Sequence, residues 1–104
     1  MREYTDHEGR RIRLTDERLA HILEHPEMAD MEPRIAETLS NPEQVVESLS
    51  DAQARLYYRF YVGTRVGDKH LCVVTKVLET DAFIVTAYLT DKVKKGKQLW
   101  PKEN

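Results

Sequence analysis

The sequence predicts an α+β fold in which N-terminal helices pack on one face of a roughly four-stranded antiparallel β-sheet. Two observations predict this class. Apolar residues recur at helical spacing within residues 15–41, and they alternate with a period of two over much of residues 45–90. The chain has 104 residues, of which 33% are charged and 40% are hydrophobic. These values are typical of one globular domain, which we expect to span residues 1–104.

The N-terminal elements are predicted from turn and capping residues. Residues 1–14 are expected to form a β-hairpin, because Asp6-His7-Glu8-Gly9 lies between short β-compatible stretches. Residues 15–41 are expected to be helical. Thr15 is a suitable N-cap for the first helix, and Pro26 prevents its continuation. A second helix is expected over residues 33–39, since proline suits a first helical turn.

Four strands are predicted after residue 42, namely a short one at Val45-Val46 and longer ones over residues 55–62, 71–78 and 82–89. One face of this antiparallel meander is nearly all apolar and is expected to receive the helices; it carries Leu56, Tyr58, Phe60, Val62, Leu71, Val73, Thr75, Val77, Phe83, Val85, Ala87 and Leu89. The opposite face is mixed and carries Tyr57, Arg59, Tyr61, Lys76, Thr86 and Tyr88. Residues 91–104 are expected to be a basic tail.

The charge is distributed unevenly along the chain. Residues 1–54 contain 6 Lys+Arg and 13 Asp+Glu, a net charge of −7, whereas residues 55–104 contain 10 and 5, a net charge of +5. A phosphate-bearing partner is therefore expected on the sheet side. No apolar run approaches the roughly 20 residues that span a bilayer, and no signal peptide is visible, so a cytoplasmic location and no membrane partner are expected. The single cysteine permits no internal disulfide and no cysteine-rich zinc site.

The string His21-Ile22-Leu23-Glu24-His25 places two imidazoles on one side of a helix, beside Arg18. Its letters match the H-x-x-E-H motif of inverted zinc peptidases, but no third ligand or peptide cleft is apparent, so no metal is expected. A histidine with an ordinary pKa of about 6.5 can act as an acid or a base. Alternatively, both histidines are surface or helix-end residues.

Several residues suit contact with RNA. Lys94 and Lys95 belong to a run of four lysines within six positions, and Trp100 follows, so this segment can track a phosphate backbone and stack a base. Tyr57, Tyr61 and Tyr88 on the mixed face, together with Arg59, suit single-stranded RNA in the same way. Each of these residues also has an ordinary structural explanation. The lysine run would be a solvated terminus, Trp100 would close the open end of the core, and the strand aromatics would be packing residues.

Several blocks together resemble a phage-associated nuclease family of the superfamily named for barnase, EndoU, colicin-type toxins and RelE (BECR). The blocks are Arg18 to Met28, Leu39 to Glu43, Tyr57-Tyr58-Arg59, Val73 to Lys76, Thr86-Ala87-Tyr88, and Lys94-Lys95-Gly96 with Trp100. The resemblance runs from about Arg11 to Pro101. It implies a metal-independent endoribonuclease without a cofactor, in which helices pack on a four-stranded antiparallel sheet.

The resemblance also implies five catalytic residues, which are His21, His25, Arg59, Lys76 and Thr86. As a hypothesis, one histidine removes the proton of the ribose 2′-OH, which attacks phosphorus, while a second group protonates the leaving 5′-oxygen. Arg59, Lys76 and Thr86 would stabilise the charge on the phosphorane oxygens. All of these groups must reach one phosphate, although helices on the apolar face would place the histidines opposite the other three.

The expected partner is RNA, single-stranded or structured. A toxin or phage-related effector of this kind would also have a neutralising partner protein. The alternative is a catalytically inactive module that binds RNA or protein on the same fold.

Overall fold

The computed structural model describes residues 1–102, and within them it contains two α-helices, one short 3-10 helix and seven β-strands. The helices are α1 (Asp16–Glu24) and α2 (Glu32–Ser40), and the 3-10 helix Pro26–Met28 lies between them. The strands are β1 (Arg2–Thr5), β2 (Arg11–Leu14), β3 (Gln44–Ser48), β4 (Ala54–Thr64), β5 (Gly67–Val77), β6 (Ala82–Thr90) and β7 (Gly96–Trp100). The predicted α+β class is confirmed. Among the described residues, the helices lack the length and apolar character that crossing a bilayer requires.

Local residues determine where the helices begin and end. The Thr15 hydroxyl accepts a hydrogen bond from the backbone N–H of Arg18 at 3.2 Å and so caps α1. The helix ends before Pro26, whose ring removes a backbone donor. Pro33 lies in the first turn of α2, which extends one residue beyond each end of the predicted range 33–39.

All seven strands form one sheet in the order β1-β2-β6-β5-β4-β3-β7. Neighbouring strands are antiparallel except β2 and β6, which are parallel where Arg13 lies opposite Phe83. The prediction of a four-stranded antiparallel sheet was therefore wrong. β1 and β2 extend one edge, and β7, which lies within the predicted basic tail, pairs with β3 at the other. The hairpin of β1 and β2 was expected from the sequence, but its attachment to the sheet was not. β7 has only five residues, and its apolar and polar side chains do not alternate.

Both α-helices pack on one face of the sheet, which we call the covered face. Leu19 and Ile22 of α1 and Ile35 and Leu39 of α2 are buried there. They pack in one core with strand residues that include Val45, Tyr57, Leu71, Val73, Ile84 and Ala87. The other face, which we call the open face, has a smaller buried cluster of Val46, Leu56, Tyr58 and Cys72, with Val74, Tyr88 and Val93 packed against it.

The face predicted to receive the helices was wrong for β4. Tyr57 and Tyr61 pack in the core on the covered face, whereas Leu56 and Tyr58 belong to the cluster on the open face. The reason is that residues 91–95 cross the open face on their way from β6 to β7. Val93 packs on the cluster, and the Lys94 backbone N–H donates a hydrogen bond to the Tyr58 hydroxyl at 3.1 Å. Because both sides of this part of β4 are buried, its alternation does not indicate which side meets the helices.

A β-bulge changes which side chains of β6 point to the covered face. The register passes from Val74 opposite Thr86 to Thr75 opposite Ile84, which leaves Val85 as the extra residue. Ala87 therefore lies on the covered face as predicted, but Ile84 lies there too and Phe83 does not. The prediction assumed an unbroken period of two.

Candidate nucleic-acid interface

Three predicted site residues lie together on the open face, on the neighbouring strands β5 and β6. Thr86 lies directly opposite Val74, and Tyr88 lies opposite Cys72, so both share the face of the open cluster. Lys76 is two residues beyond Val74 and therefore points the same way. Lys76 lies opposite Phe83 on β6, so Lys76 and Thr86 are diagonal neighbours on this face, with the bulge at Val85 between their positions on β6.

An acidic residue neutralises part of this surface. The Lys76 ammonium lies 2.5 Å from the Asp51 carboxylate, and both side chains are partly exposed. The hydrogen bond from Lys76 lowers the pKa of Asp51, which therefore stays ionised at neutral pH. A phosphate that binds Lys76 must compete with this carboxylate.

The crossing segment, residues 91–95, adds further cations to the open face. Lys94 and Lys95 have exposed side chains, and within residues 1–102 neither lies within 4 Å of a carboxylate. The backbone of Lys94 is held in place by its hydrogen bond to the Tyr58 hydroxyl. Their positive charge is therefore available to a partner, in contrast to that of Lys76.

Tyr58, Cys72 and Tyr88 form the floor beneath the crossing segment. Burial raises the pKa of both phenols, so they stay protonated and can donate hydrogen bonds. Burial also raises the pKa of the Cys72 thiol, and a protonated, inaccessible thiol is a poor nucleophile. This floor is structural support for the surface above it.

Sequence reasoning did not single out His70, which also lies on the open face. It is two residues before Cys72 on β5, and its ring meets Phe60 edge-on with centroids 5.0 Å apart. His70 is four residues from Val74, the partner of Thr86, which corresponds to about 13 Å along a strand. His70 and Thr86 can therefore contact neighbouring nucleotides but not one phosphate. The alternation around Cys72 could have placed it on this face.

Other predicted substrate residues on β4 lie on the covered face. Tyr57 is 0% exposed, so no substrate can contact it. The Arg59 guanidinium donates to the Asn41 carbonyl at 2.9 Å and lies 3.7 Å from the Glu37 carboxylate. Tyr61 donates to the same carboxylate at 2.6 Å, and burial followed by that hydrogen bond raises its pKa to about 12. Arg59 and Tyr61 thus anchor α2.

The helix residues form a third group. His21 and His25 are both exposed, each with an imidazole nitrogen within 4 Å of a neighbouring carboxylate, Glu24 and Glu27 respectively. Arg18 donates to the Val85 carbonyl at 3.1 Å, which ties α1 to the bulge in β6. Because α1 packs on the covered face, these residues lie across the sheet from Lys76 and Thr86. The five predicted catalytic residues therefore occupy three separate places.

The tip of the N-terminal hairpin contains a second group of chemically active residues. The Asp6 side chain is 0% exposed and accepts hydrogen bonds from the Tyr57 hydroxyl at 2.7 Å and from Arg10 at 2.8 Å. It also accepts from the backbone N–H groups of Glu8 and Arg10, each at 2.9 Å. Burial alone would raise the Asp6 pKa, but the hydrogen bonds from Tyr57 and the two backbone N–H groups, together with the charge of Arg10, outweigh burial and lower the pKa.

Asp6, His7 and Glu8 each offer one ligand atom, and these atoms lie within 4.8 Å of one another, which is a spacing that a metal ion can bridge. The Asp6 carboxylate, however, already accepts four hydrogen bonds. Arg10 and Arg55 lie 3.8 and 3.9 Å from Glu8. Two guanidinium groups beside the ligands oppose a cation and favour an anion.

The remaining predicted residue, Trp100, belongs to this second group. It lies on β7 opposite Val45, and its ring is tilted against the His7 ring with centroids 5.1 Å apart. The His7 ring also meets Tyr57 edge-on at 6.0 Å. Trp100 thus packs on the covered side, away from Lys94 and Lys95, although part of its ring is exposed.

Searches of protein-family models, curated proteins and solved structures gave no match to this chain.

Proposed function

We propose that the protein binds single-stranded RNA on the open face of its sheet. The observation that carries this proposal is the shared placement of Lys76, Thr86, Lys94 and Lys95 on a face that no helix within residues 1–102 covers. Lysines along a surface attract a phosphate backbone, and a sheet face leaves unstacked bases room to spread. The uneven distribution of charge also supports RNA binding. Residues 55–104, which carry a net charge of +5, form most of the open face, whereas residues 1–54 carry a net charge of −7.

Replacing Lys94 and Lys95 together by alanine is expected to weaken RNA binding about equally for all sequences. Each phosphate contact to a single strand contributes about 0.7 to the slope of log K against log salt, so the slope should fall by about 1.4. Fluorescence anisotropy with labelled oligonucleotides over a salt series measures this. Arg11→Ala, an exposed cation at the other edge of the sheet, is the matched control and should change the slope little. An unchanged slope in the double variant would contradict the proposal.

RNA cleavage is the second candidate function, favoured by the placement of Lys76 and Thr86 as diagonal neighbours on the open face. In the reaction we propose, the ribose 2′-oxygen loses its proton to a base and attacks phosphorus. The bond from phosphorus to the 5′-oxygen breaks, and that oxygen takes up a proton. The products are a 2′,3′-cyclic phosphate and a 5′-hydroxyl, while Lys76 and Thr86 stabilise the charged oxygens.

Cleavage is tested by incubating the protein with varied single-stranded RNAs in EDTA and analysing the new ends. We expect 2′,3′-cyclic phosphates, and a loss of about 10²- to 10³-fold in rate for Lys76→Ala, which removes one charge-stabilising group. His21 and His25 lie across the sheet from Lys76 and Thr86, so replacing both histidines by alanine should change neither the cleavage rate nor RNA binding. RNA that is bound but never cut would instead identify an inactive binding module.

A further inference from the structure

Three nitrogen donors, two from the hairpin tip and one from β4, lie near one carboxylate oxygen. Oε1 of Glu8 lies 3.8 Å from Nε2 of His7, 3.8 Å from Nη1 of Arg10 and 3.9 Å from Nη1 of Arg55. None of these distances is short enough for a hydrogen bond, which needs about 3.2 Å or less. The donors are thus arranged around a negative oxygen that satisfies none of them fully.

The donors are more buried than the carboxylate. Glu8 is 46% exposed, whereas the side chains of His7, Arg10 and Arg55 are 10%, 30% and 24% exposed. Nδ1 of His7 and Nε of Arg55, which are not the nitrogens nearest Glu8, are also buried, and neither has a hydrogen-bond partner among the described residues. Buried polar nitrogens without partners are uncommon and call for an explanation. A mostly buried set of donors beneath a partly exposed carboxylate is an arrangement that suits an anion.

The nearby charges and the indole ring of Trp100 indicate which kind of anion would bind. Arg10 is paired with Asp6 at 2.8 Å, so Arg55 has Glu8 as its one carboxylate within 4 Å among the described residues. If Glu8 turned outwards, Arg55 would be left to bind another anion. Guanidinium groups match the oxygens of a phosphate, and the partly exposed Trp100 beside His7 offers a surface for a base.

We propose that His7, Arg10 and Arg55 form a receptor for a nucleotide phosphate monoester, in which the Glu8 carboxylate occupies the position that the phosphate would take. The base stacks on Trp100. This inference goes beyond the RNA-binding face and uses none of its residues. The phosphate monoester belongs either to a free mononucleotide or to the phosphorylated end of a strand.

The test is a titration of the intact protein with adenosine 5′-monophosphate, monitored by the fluorescence of Trp100, the single tryptophan of the chain. We expect quenching with saturation. Glu8→Ala should tighten binding about tenfold, a change equivalent to about 1.4 kcal/mol, because the competing carboxylate is gone. Inorganic phosphate, which lacks a base, should compete with the nucleotide but bind more weakly. The receptor assignment would be overturned if Glu8→Ala did not bind the nucleotide, or bound it no more tightly than the wild type does.

Arg55→Ala should lose binding, whereas Arg11→Ala, a guanidinium on the same hairpin that is 80% exposed, should retain it. Equal losses in the two variants would mean general electrostatic attraction and overturn the assignment. If Arg55→Ala does not fold, the titration of Glu8→Ala still tests the receptor.

Oligonucleotides with and without a 5′-phosphate distinguish the two sources of the phosphate monoester. Tighter binding of the phosphorylated strand than of the mononucleotide indicates a strand end, and tighter binding of the mononucleotide indicates a free nucleotide. The Lys94 and Lys95 variant should bind the mononucleotide normally, so this proposal and the RNA face can fail independently.

Discussion

Replacing Asp6 by alanine is expected to lower the free energy of unfolding by about 3–5 kcal/mol, the range for removing one partner of a buried charged pair. The Asp6 carboxylate accepts four hydrogen bonds within the hairpin tip and from β4. Its loss leaves the buried Tyr57 hydroxyl without an acceptor and the Arg10 guanidinium without its partner. Chemical denaturation with urea measures the change.

The matched control is Glu3→Ala, which removes an exposed carboxylate from the same hairpin and should change stability by no more than about 0.5 kcal/mol. Asp6→Asn retains an acceptor oxygen and should cost less than Asp6→Ala. A loss below about 1 kcal/mol for Asp6→Ala would contradict the assigned role of this carboxylate.

Asp6 also makes the free energy of unfolding depend on pH. The folded-state pKa of Asp6 is lowered from its ordinary value of 3.8, so its contribution is fully present above that value. The contribution is lost as the pH falls through the lower, folded-state pKa. A denaturation series at acidic pH should therefore show a flatter decline in stability for Asp6→Ala than for the wild type.

Replacing Gly96 by alanine is expected to destabilise the protein by about 1–3 kcal/mol, as overpacking usually does. A Cβ at this position would overlap the backbone carbonyl oxygen of Glu47 and the side chain of Val46. The carbonyl belongs to β3, the neighbour of β7, and cannot rotate away as a long side chain can. The strand β7 must therefore move.

Hydrogen exchange distinguishes this local effect from general unfolding. Amides of residues 97–100 should exchange faster in Gly96→Ala, while those of β5 at the centre of the sheet should change much less. Lys97→Ala, at the next and exposed position, is the control and should leave both sets unaffected. Unchanged exchange in β7 would show that the sheet accommodates the added methyl group.

The parts of the fold that the sequence predicted well have local causes. Thr15 and Pro26 delimit α1 through a hydrogen bond and a missing donor, and both effects can be inferred from neighbouring residues. The facing of β4 was not predictable in this way. Tyr57 and Tyr58 are both buried, one beneath the helices and one beneath a segment more than thirty residues further along the chain.

The candidate sites show the same division. Lys76 and Thr86 share a face because Lys76 lies two residues from Val74 on β5, where the alternation is regular, and Thr86 lies opposite Val74, and the sequence predicted this shared face. The bulge at Val85 lies between their positions on β6 and does not change the facing of Thr86. Arg59 was expected beside them but lies on the covered face, because the alternation of β4 was assigned to the wrong side. The convergence of His7 and Arg55 on Glu8 depends on how the hairpin tip folds over β4, and no spacing in the sequence encodes it.

The parallel contact between β2 and β6 has a consequence for how the chain folds. Arg13 and Phe83 are neighbours in the sheet, yet almost seventy residues separate them along the chain. During synthesis, β1 and β2 can pair with each other, but they have no sheet to join until β6 has emerged from the ribosome. Contacts between distant parts of a chain form slowly, so docking of the hairpin is expected to be a late folding event. Until then the edge of the hairpin that pairs with β6 is exposed, and exposed strand edges favour aggregation of a partly synthesised chain.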